Sequence, residues 1–291
     1  MDFIEDIKAV LLGIIEGITE WLPISSTGHM ILFDEFVKLE VSDSFKEMFF
    51  VVIQLGAILA VPILFWNKLW PFTKKKTKEE RSRVFSLWFK VIVGAIPAAI
   101  IGVLLDDLLD TYLYNYIVVS IALIVYGVAF ILVEKFKKKS GFRVESVYDL
   151  TYADALKIGA FQVLSLIPGT SRSGSTILGG MLTGVSRTAS SEFSFFMAIP
   201  IMLGASGLKV LKFCVEYIQS PTPEVYIPEG ALVSYLIILA VGLIISFLVS
   251  LLAIKLLMDF VKRHDFTPFG IYRIVLGVIV IGYFVIKTIT A

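Results

Sequence analysis

Glu16 and Glu20 stand one helical turn apart, so on a helix they would share a face. Two such carboxylates can hold a divalent cation, Mg²⁺ or Ca²⁺, with water or phosphate oxygens completing the shell, or one can bind metal while the other acts as a base. They can equally line a polar cavity or bond to neighbouring helices. The same run continues through Pro23, a helix breaker, to Ser25, Ser26, Thr27, Gly28 and His29. Hydroxyls after a break either cap the next helix or serve as nucleophile and phosphate ligands when a base stands near. His29 is a candidate for that base, or for the acid that protonates a leaving oxygen.

A second cluster lies half a chain later, Pro168-Gly169-Thr170-Ser171-Arg172-Ser173-Gly174-Ser175-Thr176. Its glycines allow close backbone approach, its hydroxyls donate, and Arg172 brings a planar fork suited to phosphate oxygens. A glycine- and serine-rich turn that opens onto a helix N-terminus is an anion site. Together the clusters spell phosphoryl transfer to water, assisted by a metal or by arginine, with Arg172 and backbone donors holding the charge of the transferring group. That chemistry requires the two clusters to meet.

The elements that must bring them together are membrane helices. Of 291 residues 57% are hydrophobic and 18% charged, against about 25% charged in a soluble domain. The expected fold is an all-α polytopic membrane protein with six transmembrane helices, at about Met48–Trp66, Trp88–Leu105, Thr111–Val133, Phe193–Leu208, Ala231–Ile254 and Phe266–Ile286. Lysines 74–76, 135 and 137–139 mark cytoplasmic loops, whereas the acidic turn Asp106–Asp110 and the Pro221–Glu229 loop belong outside. The N-terminal residues lack a basic stretch, so no cleavable signal peptide is expected. A net charge of +1 offers no field for nucleic acid, and the single cysteine, Cys214, excludes an intrachain disulfide.

Residues 3–37 and 155–182 are each too short, too charged or too broken to cross as one helix, and they read as two re-entrant helical hairpins. The chain echoes itself: Leu12-Gly13 to Glu16 before Pro23-Ile-Ser25-Ser26 matches Ile158-Gly159 to Gln162 before Pro168-Gly-Thr170-Ser171. Each half holds one hairpin and three spans. Because three is odd, the halves enter from opposite faces, which gives an inverted-topology repeat, about 1–133 and about 155–291, within a single membrane domain of residues 1–291, joined by a basic cytoplasmic loop. Both termini then lie outside. Arg273 falls inside the last span, where it is expected to snorkel, pair with an acid or mark a boundary, a structural role. His264, beside Lys262 and Arg263, reads as a solvated interfacial residue.

Across essentially its whole length the chain resembles the undecaprenyl pyrophosphate phosphatase family of the bacitracin-resistance type, through Glu16-Gly-Ile-Thr-Glu20, Ser25-Ser26-Thr27-Gly28-His29 and Pro168 to Thr176. The resemblance implies a multi-pass enzyme of the bacterial plasma (inner) membrane that removes the terminal phosphate of undecaprenyl diphosphate, with a divalent-cation requirement and a site facing the outer surface. It implies recycling of the lipid carrier for cell-wall synthesis, and bacitracin tolerance when abundant. It further assigns Glu16 and Glu20 to metal or acid/base work, Arg172 to phosphate, and a serine, Ser26 first, to attack or phosphate binding with His29 assisting; metal-activated water would use the same residues. Ser25, Thr27, Gly169, Thr170, Ser171, Ser173, Ser175 and Thr176 are the accompanying substrate-binding candidates. The implied partners are a polyprenyl diphosphate lipid and the surrounding membrane, and a homodimer is compatible with the sequence. A flippase for the lipid phosphate carrier would use the same fold and stands as the alternative.

Overall fold

The computed structural model describes residues 3–113, 115–219, 227 and 230–290, and among these it is helical throughout apart from short connections and one isolated bridge, Val144 with Val185. One helix-break-helix unit comes first in each half of the chain. α1 (Phe3–Thr19) and α2 (Ser26–Phe36) form one; α7 (Tyr152–Val163) and α8 (Arg172–Leu182) form the other. The long helices are α3 (Asp43–Leu64), α5 (Lys78–Leu113), α6 (Tyr116–Ser140), α9 (Arg187–Gln219), α10 (Leu232–Val261) and α11 (Thr267–Thr290), with a single turn, α4 (Trp66–Leu69), after α3. All six are long and apolar enough to cross a membrane.

Several boundaries differ from the sequence expectation, each for a local reason. Asp106, Asp107 and Asp110 do not make a turn; their backbone completes α5, and the chain reverses only at Asn115, which caps α6 by accepting from the Val118 N–H at 3.0 Å. α9 begins at Arg187 and runs on through Lys209 and Lys212, so these lysines lie on a helix. As the expected spans already had it, Pro62, Pro97 and Pro200 sit inside helices without ending them, which neighbouring helices in a membrane permit. The expected outer loop at 221–226 and 228–229 lies outside the described residues.

α10 shows what solvent this fold is built for. Its outward residues are Leu236, Ile244, Leu248, Leu252 and Leu256, while Gly242, Ser246, Ser250 and Ala253 face in. A helix in water would do the reverse. Lipid tails are as apolar as leucine, so association here rests on close backbone approach and buried hydrogen bonds. A Cβ on Gly13 or Gly17 of α1 would stand 2.8 Å from the Gly242 or Ser246 carbonyl of α10. Ser250 donates to the Gly17 carbonyl at 3.2 Å, and Ser246 donates to that of Ile53 in α3 at 2.7 Å. In the other half, Gly159 of α7 lies directly on the Gly94 backbone of α5.

The packing is exchanged between halves. α1 and α3 rest on α10, and α7 and α9 rest on α5; α2 meets α11, and α8 meets α6. The pairs α3 with α9 and α6 with α11 close the bundle. Beside the lysine-rich segments, ion pairs to buried carboxylates fasten the helix ends. Glu134 takes both Arg187 Nε (2.8 Å) and Nη2 (2.5 Å) and also accepts from the Phe266 N–H at 2.9 Å. Lys68 holds both oxygens of Glu192 at 2.7 Å.

Candidate active site

Both helix units break in the same way. Ser25 and Ser171 have φ of 74° and 70°, the non-glycine residues with positive φ among those described. Each caps the helix that follows, Ser25 accepting from the Gly28 N–H at 3.3 Å and Ser171 from the Gly174 N–H at 3.1 Å. Bulky residues avoid that conformation, and a short hydroxyl that bonds locally offsets its cost. The structural match is therefore Ser25 with Ser171, one residue off the Ser26–Ser171 match suggested by the two prolines. It sets Ser26 opposite Arg172, and Glu16 opposite Gln162.

The two breaks touch. Arg172 Nη2 donates to Glu20 Oε1 at 2.7 Å, across 152 positions of sequence. Its Nη1 donates to the Ser194 carbonyl of α9 at 2.8 Å, and its guanidinium lies 5.5 Å from the Trp21 ring centre. Trp21 is itself held edge-on by Phe195. The other carboxylate oxygen of Glu20, Oε2, accepts from the Ser26 hydroxyl at 3.2 Å. Ser26, Glu20 and Arg172 thus form one connected line of hydroxyl, carboxylate and guanidinium. A hydroxyl on a carboxylate is a nucleophile beside its base, or a ligand beside another.

Glu16 is buried one turn before Glu20, and its Oε1 has no hydrogen-bond partner. Ser173 stands 3.1 Å from the Glu20 carbonyl and 3.3 Å from that of Leu22, so its hydroxyl joins the breaks from the α8 side. It is linked to Ser171 at 3.1 Å. Thr176 bonds the Ser194 hydroxyl at 2.6 Å and the Arg172 carbonyl at 2.9 Å, which makes it a support for the arginine rather than a free donor. Thr170 turns inward onto the Leu164 and Ile167 carbonyls at 2.9 and 2.7 Å. Gly169 has φ of 91°, and a Cβ there would stand 2.5 Å from the Val119 carbonyl. Thr27 is half-buried in the first turn of α2, and the Ser175 hydroxyl is buried without a partner.

His29 does something the sequence did not suggest. Its Nδ1 lies 2.7 Å from the Ser25 carbonyl, and its Nε2 lies 2.7 Å from the Tyr272 hydroxyl. A carbonyl only accepts, so Nδ1 carries a proton; in the neutral ring Nε2 then accepts from Tyr272. Both nitrogens are engaged, and none is left for Ser26. Arg273 also departs from expectation, since it neither snorkels nor meets a carboxylate. It is fully buried and donates to the carbonyls of Pro23, Gly169 and Thr170. Trp21, Ser194, Tyr272 and the carbonyls gripped by Arg273 carry no sequence signature of their own. The only available hint was an arginine within an apolar span.

The class these features define is a polytopic, all-helical membrane protein whose polar centre is assembled from two helix breaks. The chain belongs to the family described as bacitracin resistance protein BacA, whose model matches residues 9–279. It is 53% identical over 283 residues to an undecaprenyl-diphosphatase of Enterococcus faecalis, covering 97% of this chain and 98% of that protein. It is 52% identical over 290 residues to the undecaprenyl-diphosphatase of Desulfitobacterium hafniense, covering 99% of both. With that of Acetivibrio thermocellus it shares 54% over 281 residues, 97% of this chain and 98% of the relative.

Proposed function

We propose that this chain hydrolyses undecaprenyl diphosphate to the monophosphate and inorganic phosphate, in the bacterial cell membrane, and so returns the lipid carrier to cell-wall synthesis. The observation that carries the reading is the Arg172–Glu20–Ser26 line at the junction of the two breaks. The N-termini of α2 and α8 both begin at that junction, and the first turn of a helix offers backbone donors suited to phosphate oxygens. Relatives of about half identity over nearly the full length bear the name of this activity.

In this reading Arg172 keeps its place against Trp21 and Ser194 and turns its charge from Glu20 to a phosphate oxygen, where a bidentate fork gives geometry as well as attraction. Glu20, released from the arginine, takes the proton of the attacking hydroxyl, from Ser26 or from a water held in its place, as the attacking oxygen bonds the terminal phosphorus and the bridging P–O bond breaks to release the lipid monophosphate. Where Ser26 attacks, a water then displaces phosphate from the serine and returns its hydroxyl. The hydroxyls of Ser25, Ser171 and Ser173 hold the breaks in shape, so the donors need no rearrangement as charge develops. His29 enters the proton traffic only if Tyr272 releases Nε2.

The site suits a hard cation. Glu16 presents a buried oxygen without a partner one turn from Glu20, and no group of three His, Cys, Asp or Glu residues occurs among the described residues. Mg²⁺ or Ca²⁺ would thus be held by Glu16 and Glu20 with substrate oxygens filling the remaining positions. Bound there, it would neutralise charge on the transferring phosphoryl group.

We also infer that the helix-break-helix units are re-entrant hairpins of an inverted repeat. The matched positive-φ serines and the exchanged packing, α1 on α10 with α7 on α5, support this. An odd number of long helices per half then turns the halves opposite ways, with the lysine-rich segment 74–76 and the lysine-rich end of α6 inside and the catalytic hairpin opening outside. The test is phosphate release from undecaprenyl diphosphate by purified protein with Mg²⁺ or Ca²⁺. Release that EDTA abolishes supports the reading; movement of the lipid phosphate between leaflets with no release would favour the flippase.

A further inference from the structure

Arg273 and its neighbour Tyr272 stand outside both polar clusters, yet they are the residues of α11 that reach them. The Arg273 guanidinium is fully buried, lies 5.5 Å from the Tyr126 ring centre, and has hydrogen bonds to carbonyls alone among the described residues. Nη1 takes the Pro23 carbonyl at 3.0 Å, in the first break. Nη2 takes those of Gly169 at 2.8 Å and Thr170 at 3.0 Å, in the second. A buried charge without a carboxylate is expensive, and what it receives here is the free carbonyl ends of both interruptions. The geometry is that of one rigid fork spanning two strands of chain, which an ammonium on a flexible stem cannot reproduce.

The peptide planes carry the consequence. In a trans peptide the N–H points opposite to the C=O, so turning the Thr170 carbonyl toward Arg273 turns the Ser171 N–H away from it, at the start of α8. Pro23 is treated likewise next to the Ile24 N–H. Tyr272, half-exposed, meets the first break from the side by donating to His29 Nε2, while His29 Nδ1 holds the Ser25 carbonyl. Three successive features of the first break, Pro23, Ser25 and His29, are therefore set from α11.

We propose that Tyr272 and Arg273 are positioning residues of the phosphatase site, Arg273 fixing the two breaks relative to each other and Tyr272 fixing His29. The proposal rests on the hydrolytic reading above. Neither residue touches the Ser26–Glu20–Arg172 line, so their loss should change turnover more than substrate binding. The experiment measures phosphate release from an isoprenyl diphosphate in detergent with Mg²⁺, for the wild type, Arg273→Lys, Tyr272→Phe, His29→Ala and the Tyr272→Phe/His29→Ala double variant. Arg273→Lys is expected to elute and melt as folded protein with kcat lowered about 30-fold and KM changed less than about threefold, the cost of misplaced groups. Tyr272→Phe should lower kcat about fivefold in the wild type and not further in the His29→Ala background, since coupled residues are not additive. Wild-type kcat in Arg273→Lys, or its failure to fold, overturns the role given to Arg273. An equal Tyr272→Phe effect with and without His29 overturns that given to Tyr272. No phosphate release by the wild type would instead sink the functional reading itself.

Discussion

At the scale of single residues, the account turns on how a few polar groups are satisfied where water is scarce. Removing Arg172 leaves Glu20 as an uncompensated buried carboxylate, which costs about 3–5 kcal/mol when a buried pair is broken one-sidedly. Glu20→Gln keeps the shape and an acceptor for Arg172, but it breaks the same pair from the other side and leaves the guanidinium without its carboxylate. It should therefore lower the melting temperature and, where the variant is still folded, lower kcat about 100-fold or more, the usual worth of a general base; phosphate release at matched folded-protein concentration checks it. Gly169→Ala probes the backbone instead. With φ of 91° and a Val119 carbonyl in the way, it should cost about 1–3 kcal/mol of strain or more, read as a lowered melting temperature in detergent. The residues that could do chemistry were legible because carboxylates, an arginine and a histidine stand out against an apolar chain. Their partners were not. Arg172 leans on Trp21 and the Ser194 carbonyl, and neither a tryptophan nor a backbone oxygen announces itself in a membrane sequence. The histidine was visible, but the tyrosine that occupies its second nitrogen comes from 243 positions away.

At the scale of elements, glycine and serine let the helix backbones approach closely between the larger apolar residues of the core. Gly159→Leu, on the face of α7 that rests on the Gly94 backbone, should force α5 and α7 apart and lower the melting temperature. Leu248→Ala on the outer face of α10 should leave it nearly unchanged, since little protein contact is lost. Equal effects of the two would contradict the packing described. The start of α7 offers a pH test. Burial alone would raise the carboxyl of Asp154, but the Thr151 N–H and hydroxyl, with Arg143, hold it below its ordinary value. A group held low in the folded state contributes stability above its unfolded value, about 3.8–3.9, and loses that contribution as pH falls through the folded value. Asp154→Asn should thus melt below wild type at pH 6, and the gap should close at pH values under about 4. Element positions were readable from hydrophobic runs, and their ends were not. Charge suggested a turn at Asp106–Asp110, but α5 continues and the Asn115 cap sets the reversal instead. Proline suggested the register of the internal echo, whereas the positive-φ serines shift it by one residue.

At the scale of the whole molecule, neither half contains all of the proposed site. The first supplies both carboxylates and Ser26; the second supplies Arg172, and its position opposite Glu16 is a glutamine, Gln162. Exchange of α1 and α7 between the halves, each resting on a long helix of the other, brings the pieces into contact. The proposed metal requirement belongs to this scale as well, because Glu16 and Glu20 alone cannot complete a hard cation's shell. EDTA should abolish phosphate release, and added Mg²⁺ or Ca²⁺ should restore it; full activity after chelation would remove the cation from the account. The convergence of two breaks is most directly measured by a double-mutant cycle on Glu20 and Arg172, with kcat for phosphate release from undecaprenyl diphosphate as the readout. If the two act as one unit, Glu20→Gln, Arg172→Lys and the double variant should all lose about the same factor, far less than the product of the single losses. Losses that multiply, or wild-type turnover in either single variant, would contradict a shared site.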